Sequence, residues 1–189
     1  RLPRNLMALE VGAALGLAGA LMQALTRNPL ADPGLFGVNA GAGLAVLAGV
    51  SLFGITALQA QIWLALAGAA LAAGAVGAFA LQRRADPVTL TLAGIAVAAV
   101  LTGLAMALSL WDPGAFDRLR HWAAGSLGGA RIEAVILGLP FLLVGLGIAL
   151  ASARALNALA LGDEMARALG NSLGLVRLGG LIAVLLLAG

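Results

Sequence analysis

The stretch VTLTLAGIAVAAVLTGLAMALSLW, residues 88–111, carries no charge, and its hydroxyl side chains are confined to Thr89, Thr91, Thr102 and Ser109. A helix needs about 20 mostly apolar residues to cross the ~30 Å hydrocarbon core of a bilayer, and this run is long enough. Asn5–Leu25, Val38–Leu58, Ile62–Leu81 and Ala134–Ala153 read the same way. A sixth run begins near Leu178 and is still apolar at Gly189. The pattern predicts an all-α, polytopic membrane helical bundle, a single transmembrane domain over residues 1–189. Five spans would be complete and a sixth begun. The open run at Gly189 and the arginine at position 1 lead us to expect an internal stretch of a longer, permease-sized protein.

Composition points the same way. Of 189 residues 62% are apolar and 10% charged, with a mean hydropathy of +1.06, whereas soluble domains are about a quarter charged. A soluble enzyme, a disordered tail and a disulfide-stapled module are excluded. The eleven basic residues are all arginine and are scattered along the chain. They form no basic stripe with interleaved aromatics, so no nucleic-acid partner is expected. With no cysteine and one histidine, no disulfide, metal site or cofactor is expected.

The connections carry further information. In Arg27–Gly37, Pro29 and Pro33 stop any helix and Gly34 permits conformations closed to other residues. Asn28 and Asp32 can accept the backbone N–H groups that a broken helix leaves open. This segment reads as a structured, re-entrant turn. Gln59–Gln61 reads as a tight hairpin and Gln82–Pro87 as a short basic loop. Asp112–Glu133 opens with the turn Asp112-Pro113-Gly114 and has room for an interfacial helix. Arg154–Arg177 reads as a helical region outside the membrane. Trp63, Trp111 and Trp122 fall at predicted helix ends, where amphipathic rings sit at the headgroup level. The spacings Gly12/Gly16/Gly19, Gly37/Gly41 and Gly74/Gly77 predict closely approaching helices. Five crossings place Arg27, Arg83, Arg84, Arg154, Arg167 and Arg177 on one side. Arg1, Arg4, Arg118, Arg120 and Arg131 fall on the other, a margin too small to orient the chain by itself.

Three features carry candidate chemistry. Leu161, Met165, Ala168 and Leu169 share one face of a short helix, Asp163 and Arg167 are spaced to pair, and Gly170-Asn171 supplies a stop. Such a helix either rests on membrane lipid or docks on a partner. Glu10 places a carboxylate inside a span, which costs a few kcal/mol on insertion scales, so it should reach the interface or a neighbouring helix. His121 beside Trp122 reads as interfacial rather than metal-ligating. His121 and Ser126 lie in one loop with no orienting acid, which rejects an intramembrane serine protease.

Three sets of residues together resemble the FecCD family. They are Arg1-Leu2-Pro3-Arg4; Val11-Gly12-Ala13-Ala14-Leu15 through Gly19-Ala20-Leu21-Met22-Gln23; and Asn28-Pro29-Leu30-Ala31-Asp32-Pro33-Gly34. Leu92-Ala93-Gly94-Ile95-Ala96, Trp122 with Gly125-Ser126-Leu127, and Leu156-Asn157 through Leu161-Gly162 to Ala166 and Leu169-Gly170 follow in the family's order. The family comprises permease subunits of binding-protein-dependent ABC importers for ferric siderophores, haem and vitamin B12. The resemblance implies about ten helices per subunit, of which this chain would hold the second to sixth and the start of the seventh. It implies a bacterial inner-membrane location, and a second permease subunit in a homo- or heterodimer. Arg1 and Arg4 would lie outside, where they would dock a periplasmic or lipid-anchored substrate-binding protein. Leu161, Gly162, Asp163, Glu164, Met165, Ala166, Arg167, Leu169 and Gly170 would lie inside, coupling the permease to an ABC ATPase subunit. The span 88–111 would line the path, with a gate near Val88 and Thr89 and with Thr91 and Thr102 among its polar groups.

A carrier of a chelated iron needs a wide, small-residue conduit and no metal ligands of its own. The expected function is therefore transport of a ferric siderophore, with haem or vitamin B12 as alternatives within the family. No Gly-x-x-x-x-Gly-Lys loop occurs, so the ATPase activity belongs to a separate subunit. The alternative from another class is an ion- or proton-coupled carrier using Glu10.

Overall fold

The computed structural model of the chain describes residues 1–83, 87–111, 114, 117, 125, 127, 131–170 and 172–189. The sequence readings for Arg84, Asp112-Pro113, Arg118, Arg120, His121, Trp122, Ser126 and Asn171 lie outside the described residues. So do those for the side chains of Arg83, Val88, Trp111 and Asp163. Among the described residues every regular element is helical. They are α1 (Leu2–Thr26), a 3-10 turn (Pro33–Phe36), α2 (Val38–Phe53), α3 (Leu58–Arg83), α4 (Pro87–Trp111), α5 (Ile132–Ala160), α6 (Asp163–Ala168) and α7 (Leu173–Ala188). Leu2–Thr26, Leu58–Ala78, Thr91–Leu110 and Ile132–Ala160 are long and apolar enough to cross a membrane, and α2 and α7 are shorter apolar helices. The chain is a multi-pass α-helical membrane protein.

Two compact units form, each described here by itself. The first comprises Arg1–Pro33 and Ile132–Ala188, hence α1, α5, α6 and α7. Pro3 sits in the first turn of α1, where its missing N–H costs nothing and its fixed φ suits the helix. Ala14, Ala18, Leu21 and Met22 are the buried residues of α1. They recur every three or four positions, so small and apolar side chains make one packed face toward α5 and α7. A Cβ on Gly138 of α5 would lie 2.7 Å from Glu10 Oε1, and one on Gly145 would lie 2.7 Å from Leu187 Cγ. A Cβ on Gly180 of α7 would lie 2.8 Å from Leu25 Cδ1. These pairs make α5 parallel to α1 and α7 antiparallel to both.

The second unit is Gly34–Arg131, with α2, α3 and α4. Its centre is the crossing of α2 and α3. A Cβ on Gly41 would collide with the Gly68 carbonyl oxygen and lie 2.7 Å from Ala72 Cβ. A Cβ on Gly68 would collide in turn with the Gly41 carbonyl oxygen. Backbone meets backbone here, the arrangement that gains most dispersion energy where lipid supplies no hydrophobic drive. On the neighbouring face Leu47 packs with Ala105 of α4, flanked by Leu44 and Leu108.

Several boundaries differ from the sequence reading. The second span ends at Phe53 rather than Leu58, because Gly54 takes φ 66° and donates its N–H to the Val50 carbonyl while Ile55 N–H reaches Gly49. The bond from Gly54 four residues back, with Gly54 left-handed, is the αL cap. The turn is therefore Gly54–Ala57, tied by Gln61 Nε2 donating to the Ile55 carbonyl at 3.3 Å, and α3 starts at Leu58 rather than Ile62. At 16 residues, α2 is about 24 Å long, shorter than the hydrocarbon core. The helix expected to end at Ala153 instead continues to Ala160, so the polar region expected over Arg154–Arg177 is narrower. Arg177 likewise lies within α7. Gly12, Gly16, Gly19, Gly74 and Gly77 have nothing within 4 Å of where a Cβ would stand. The expected close approach is made by Gly41 with Gly68 instead. Spacing marks faces that permit contact, and the tertiary fold decides which are used.

Candidate functional site

The short helix α6 is built by its flanks. Leu161 and Gly162 N–H groups donate back to the Ala158 and Leu159 carbonyls at 3.1 Å, closing α5. Gly162 then takes φ 115°, a backbone state that L side chains rarely adopt, and turns the chain into α6. Ala166 N–H donates to the Gly162 carbonyl at 2.9 Å, and Gly170, at φ 78°, closes the other end through the Arg167 carbonyl at 2.9 Å. Ala166 is fully buried, whereas Leu161, Met165 and Leu169 are 71%, 50% and 60% exposed. Met165 and Leu169 lie four apart on one face, so α6 turns a short apolar strip outward and anchors itself through one alanine. Leu161, expected on the same face, instead lies before the Gly162 turn, outside α6. Glu164 and Arg167 are also exposed and flank the strip.

Arg1 and Arg4 are exposed at the start of α1. Because α1 and α5 run parallel and α6 follows the end of α5, the arginines stand at the opposite end of this unit from α6.

On α4, Thr102 is exposed, and Thr89 and Thr91 are half-buried and engaged in interactions. Thr91 and Thr102 are eleven residues apart, close to three turns, so they share a flank of the helix. Ser109 is buried and donates to the Ala105 carbonyl of its own helix at 2.8 Å, which satisfies the hydroxyl within the span.

In the turn after α1 the structure shows the part of the reading that concerns Asn28. Arg27 takes φ 51° and donates its N–H to the Gln23 carbonyl. Asn28 Oδ1 accepts the Leu30 N–H at 2.9 Å and its carbonyl accepts that of Ala31 at 3.0 Å, an Asx turn. Pro33 is buried, while Pro29 and Asp32 are exposed and Gly34 half-buried.

Glu10 lies against the neighbouring helix rather than at the interface. Its carboxylate fills the place a side chain would take at Gly138, and Oε1 is buried with no hydrogen-bond partner. Sequence reasoning missed both Gly138 and Gly68. The signal for Gly138 was weak, a single glycine two residues before Pro140 within a long apolar run.

These elements define a multi-pass helical membrane protein whose first unit carries a short helix with exposed Met165 and Leu169 at one end and two exposed arginines at the other. The model of the FecCD transport family matches residues 1–189, and the chain belongs to that family. It is 49% identical over 193 residues to the ferric enterobactin transport system permease protein FepD of Escherichia coli, covering 100% of this chain and 57% of that protein. It is 40% identical over 189 residues to the Fe(3+)-citrate import system permease protein YfmD of Bacillus subtilis, covering 100% and 56%. Identity is 37% over 171 residues to the cobalamin import system permease protein BtuC of Halobacterium salinarum, covering 90% and 46%. The chain thus spans about half the length of these curated relatives. Among solved structures it matches an inward-facing metal-chelate type ABC transporter with a TM-score of 0.86 and 27% identity, covering 100% of this chain and 60% of that one.

Proposed function

We propose that this chain is part of the permease subunit of a binding-protein-dependent ABC importer that carries a ferric siderophore across a bacterial inner membrane. The observation that carries the reading is the outward pair Met165 and Leu169 on a helix anchored by the buried Ala166, with the exposed Leu161 in the turn beside it. A soluble partner must cover such a strip, or lipid must, and the exposed Glu164 and Arg167 beside it suit a protein groove. The partners are then an ABC ATPase subunit inside, a periplasmic or lipid-anchored substrate-binding protein outside, and a second permease subunit. Iron-chelate relatives outrank the cobalamin relative in identity, which favours a siderophore as cargo. The test is uptake of radiolabelled ferric siderophores by cells carrying the full-length protein, with the ATPase either active or stripped of its Walker lysine. ATPase-dependent iron uptake is expected; iron uptake indifferent to the ATPase overturns the reading, and uptake of cobalamin or haem alone corrects the cargo.

Arg1 and Arg4 serve as a docking rim. Charges on a rim act mainly on encounter. The double replacement Arg1→Glu with Arg4→Glu is expected to slow binding-protein association about tenfold at low salt and to change dissociation much less. The difference should shrink as salt rises, because exposed charges are screened. Rapid-mixing binding to the reconstituted importer reads both rates, and an unchanged association rate removes the assignment.

A second reading rests on Glu10, whose Oε1 is buried and unpartnered in a span. If Glu10 carried a coupling ion, Glu10→Gln would abolish uptake while ATPase binding persisted. In the importer reading the carboxyl only fills the Gly138 notch, and the near-isosteric amide keeps uptake within about twofold of wild type. The same uptake assay decides between them.

A further inference from the structure

We infer that Asn39 lines the aqueous translocation path at mid-membrane depth, an inference that rests on the transport reading above. The argument begins with where α2 starts. Gly37, the residue before it, has φ 72°, and a Cβ there would lie 3.4 Å from Val97 Cγ1 and 3.5 Å from Ala98 N. Val97 and Ala98 lie near the middle of the apolar window Thr91–Leu110 of α4. Leu47 meets Ala105 further along, so α2 and α4 run parallel and the level of Gly37 is the interior of the span. From Pro87 to Val97, α4 extends about 15 Å beyond the start of α2. From the level of Gly41, α3 continues from Ala72 to Arg83, about 16 Å, whereas α2 has only its first turn left.

Gly37 and the first residues of α2 therefore sit at a depth where α3 and α4 are still mid-span. Asn39, in that first turn, is exposed. Non-helical backbone at hydrocarbon depth is tolerated only where protein buries it or water fills a cavity beside it, and Gly37 and Val38 are buried by protein. The exposed Asn39 side chain lacks that cover, and an amide facing hydrocarbon costs several kcal/mol, so its surroundings are not lipid. Of the two permitted surroundings, water satisfies both the acceptor and the donors of an asparagine side chain without a fixed partner. A carrier of a bulky polar chelate needs such a surface at this depth.

The test places a single cysteine at position 39 of the full-length permease, with any cysteines outside this stretch removed, in complex with its ATPase and binding protein. These 189 residues contain no cysteine. Ser172→Cys, in the exposed connection before α7, serves as the aqueous reference. Ala40→Cys is a second reporter should Asn39→Cys not assemble with the ATPase. Asn39→Cys is expected to react with a charged, membrane-impermeant methanethiosulfonate from the inner side within about a hundredfold of the reference rate. Adding a non-hydrolysable nucleotide with the loaded binding protein should slow that reaction at least fivefold. Reaction only with a lipid-soluble maleimide overturns the proposal, and so does reaction with neither reagent until the protein is unfolded, which would put protein over Asn39. Wild-type uptake that ignores the ATPase would count against the importer reading alone, since accessibility is measured independently of it.

Discussion

Replacing Met165 by glutamate is expected to abolish ATP-driven uptake while leaving the permease in the membrane at its normal level. Met165 is half-exposed on α6, so its loss removes little from the fold itself. Full burial of a methionine is worth about 1.5–3 kcal/mol, so covering the exposed half of Met165 on docking contributes about 1 kcal/mol, and an unpaired carboxylate placed in the same apolar contact costs several more. Together these weaken association with the ATPase by at least about a hundredfold, since each 1.4 kcal/mol is a factor of ten. Met165→Leu conserves volume and character and should stay close to wild type. Co-purification of the two subunits and uptake in the same cells provide the readout. Undiminished association of Met165→Glu with the ATPase would remove α6 as the coupling element.

The second large effect concerns stability. Gly41→Val or Gly68→Val is expected to destabilise the permease by about 3 kcal/mol or more, at the upper end of overpacking penalties. The reason is the identity of the obstacle. Each new Cβ meets a backbone carbonyl of the opposing helix, which cannot rotate away as a side-chain tip can, so α2 and α3 must separate along their crossing. Gly12→Val and Gly16→Val add a branched side chain in open space within this chain and provide the contrast. Fractions surviving heating in detergent, followed by size-exclusion chromatography, should fall for the first pair and hold for the second. Equal behaviour of the two pairs would show that the Gly41–Gly68 approach contributes nothing.

The span over residues 88–111 was legible nearly to the residue, because a continuous apolar run leaves few other solutions in a bilayer. The end of α2 was not. Ser51–Ile55 stays apolar, and whether Gly54 stops a helix or packs one depends on a backbone angle that composition does not encode. The same ambiguity hid Gly68 in a chain with 27 glycines. The strip on α6 could be read because Met165 and Leu169 recur at four-residue spacing among charges, whereas Leu161, one turn earlier in spacing, falls before the Gly162 bend. That the strip faces outward, and that Ala166 is its anchor, required the fold. Asn39 was not singled out in the sequence, and its depth emerged only from the close approach of Gly37 to Val97.

The joint between α5 and α6 has a mechanical consequence. Two residues, Leu161 and Gly162, connect the helices, and both N–H groups are already bonded to α5. A two-residue link fully stretched reaches only about 7 Å, and this one is folded back on itself, so it holds almost no slack. A pull or push applied at α6 becomes travel of the adjoining end of α5, with little stroke lost to a yielding tether. At the far end of that same 29-residue rod, the Gly138 notch holds Glu10 of α1, so the lever that begins at α6 ends beneath the basic rim.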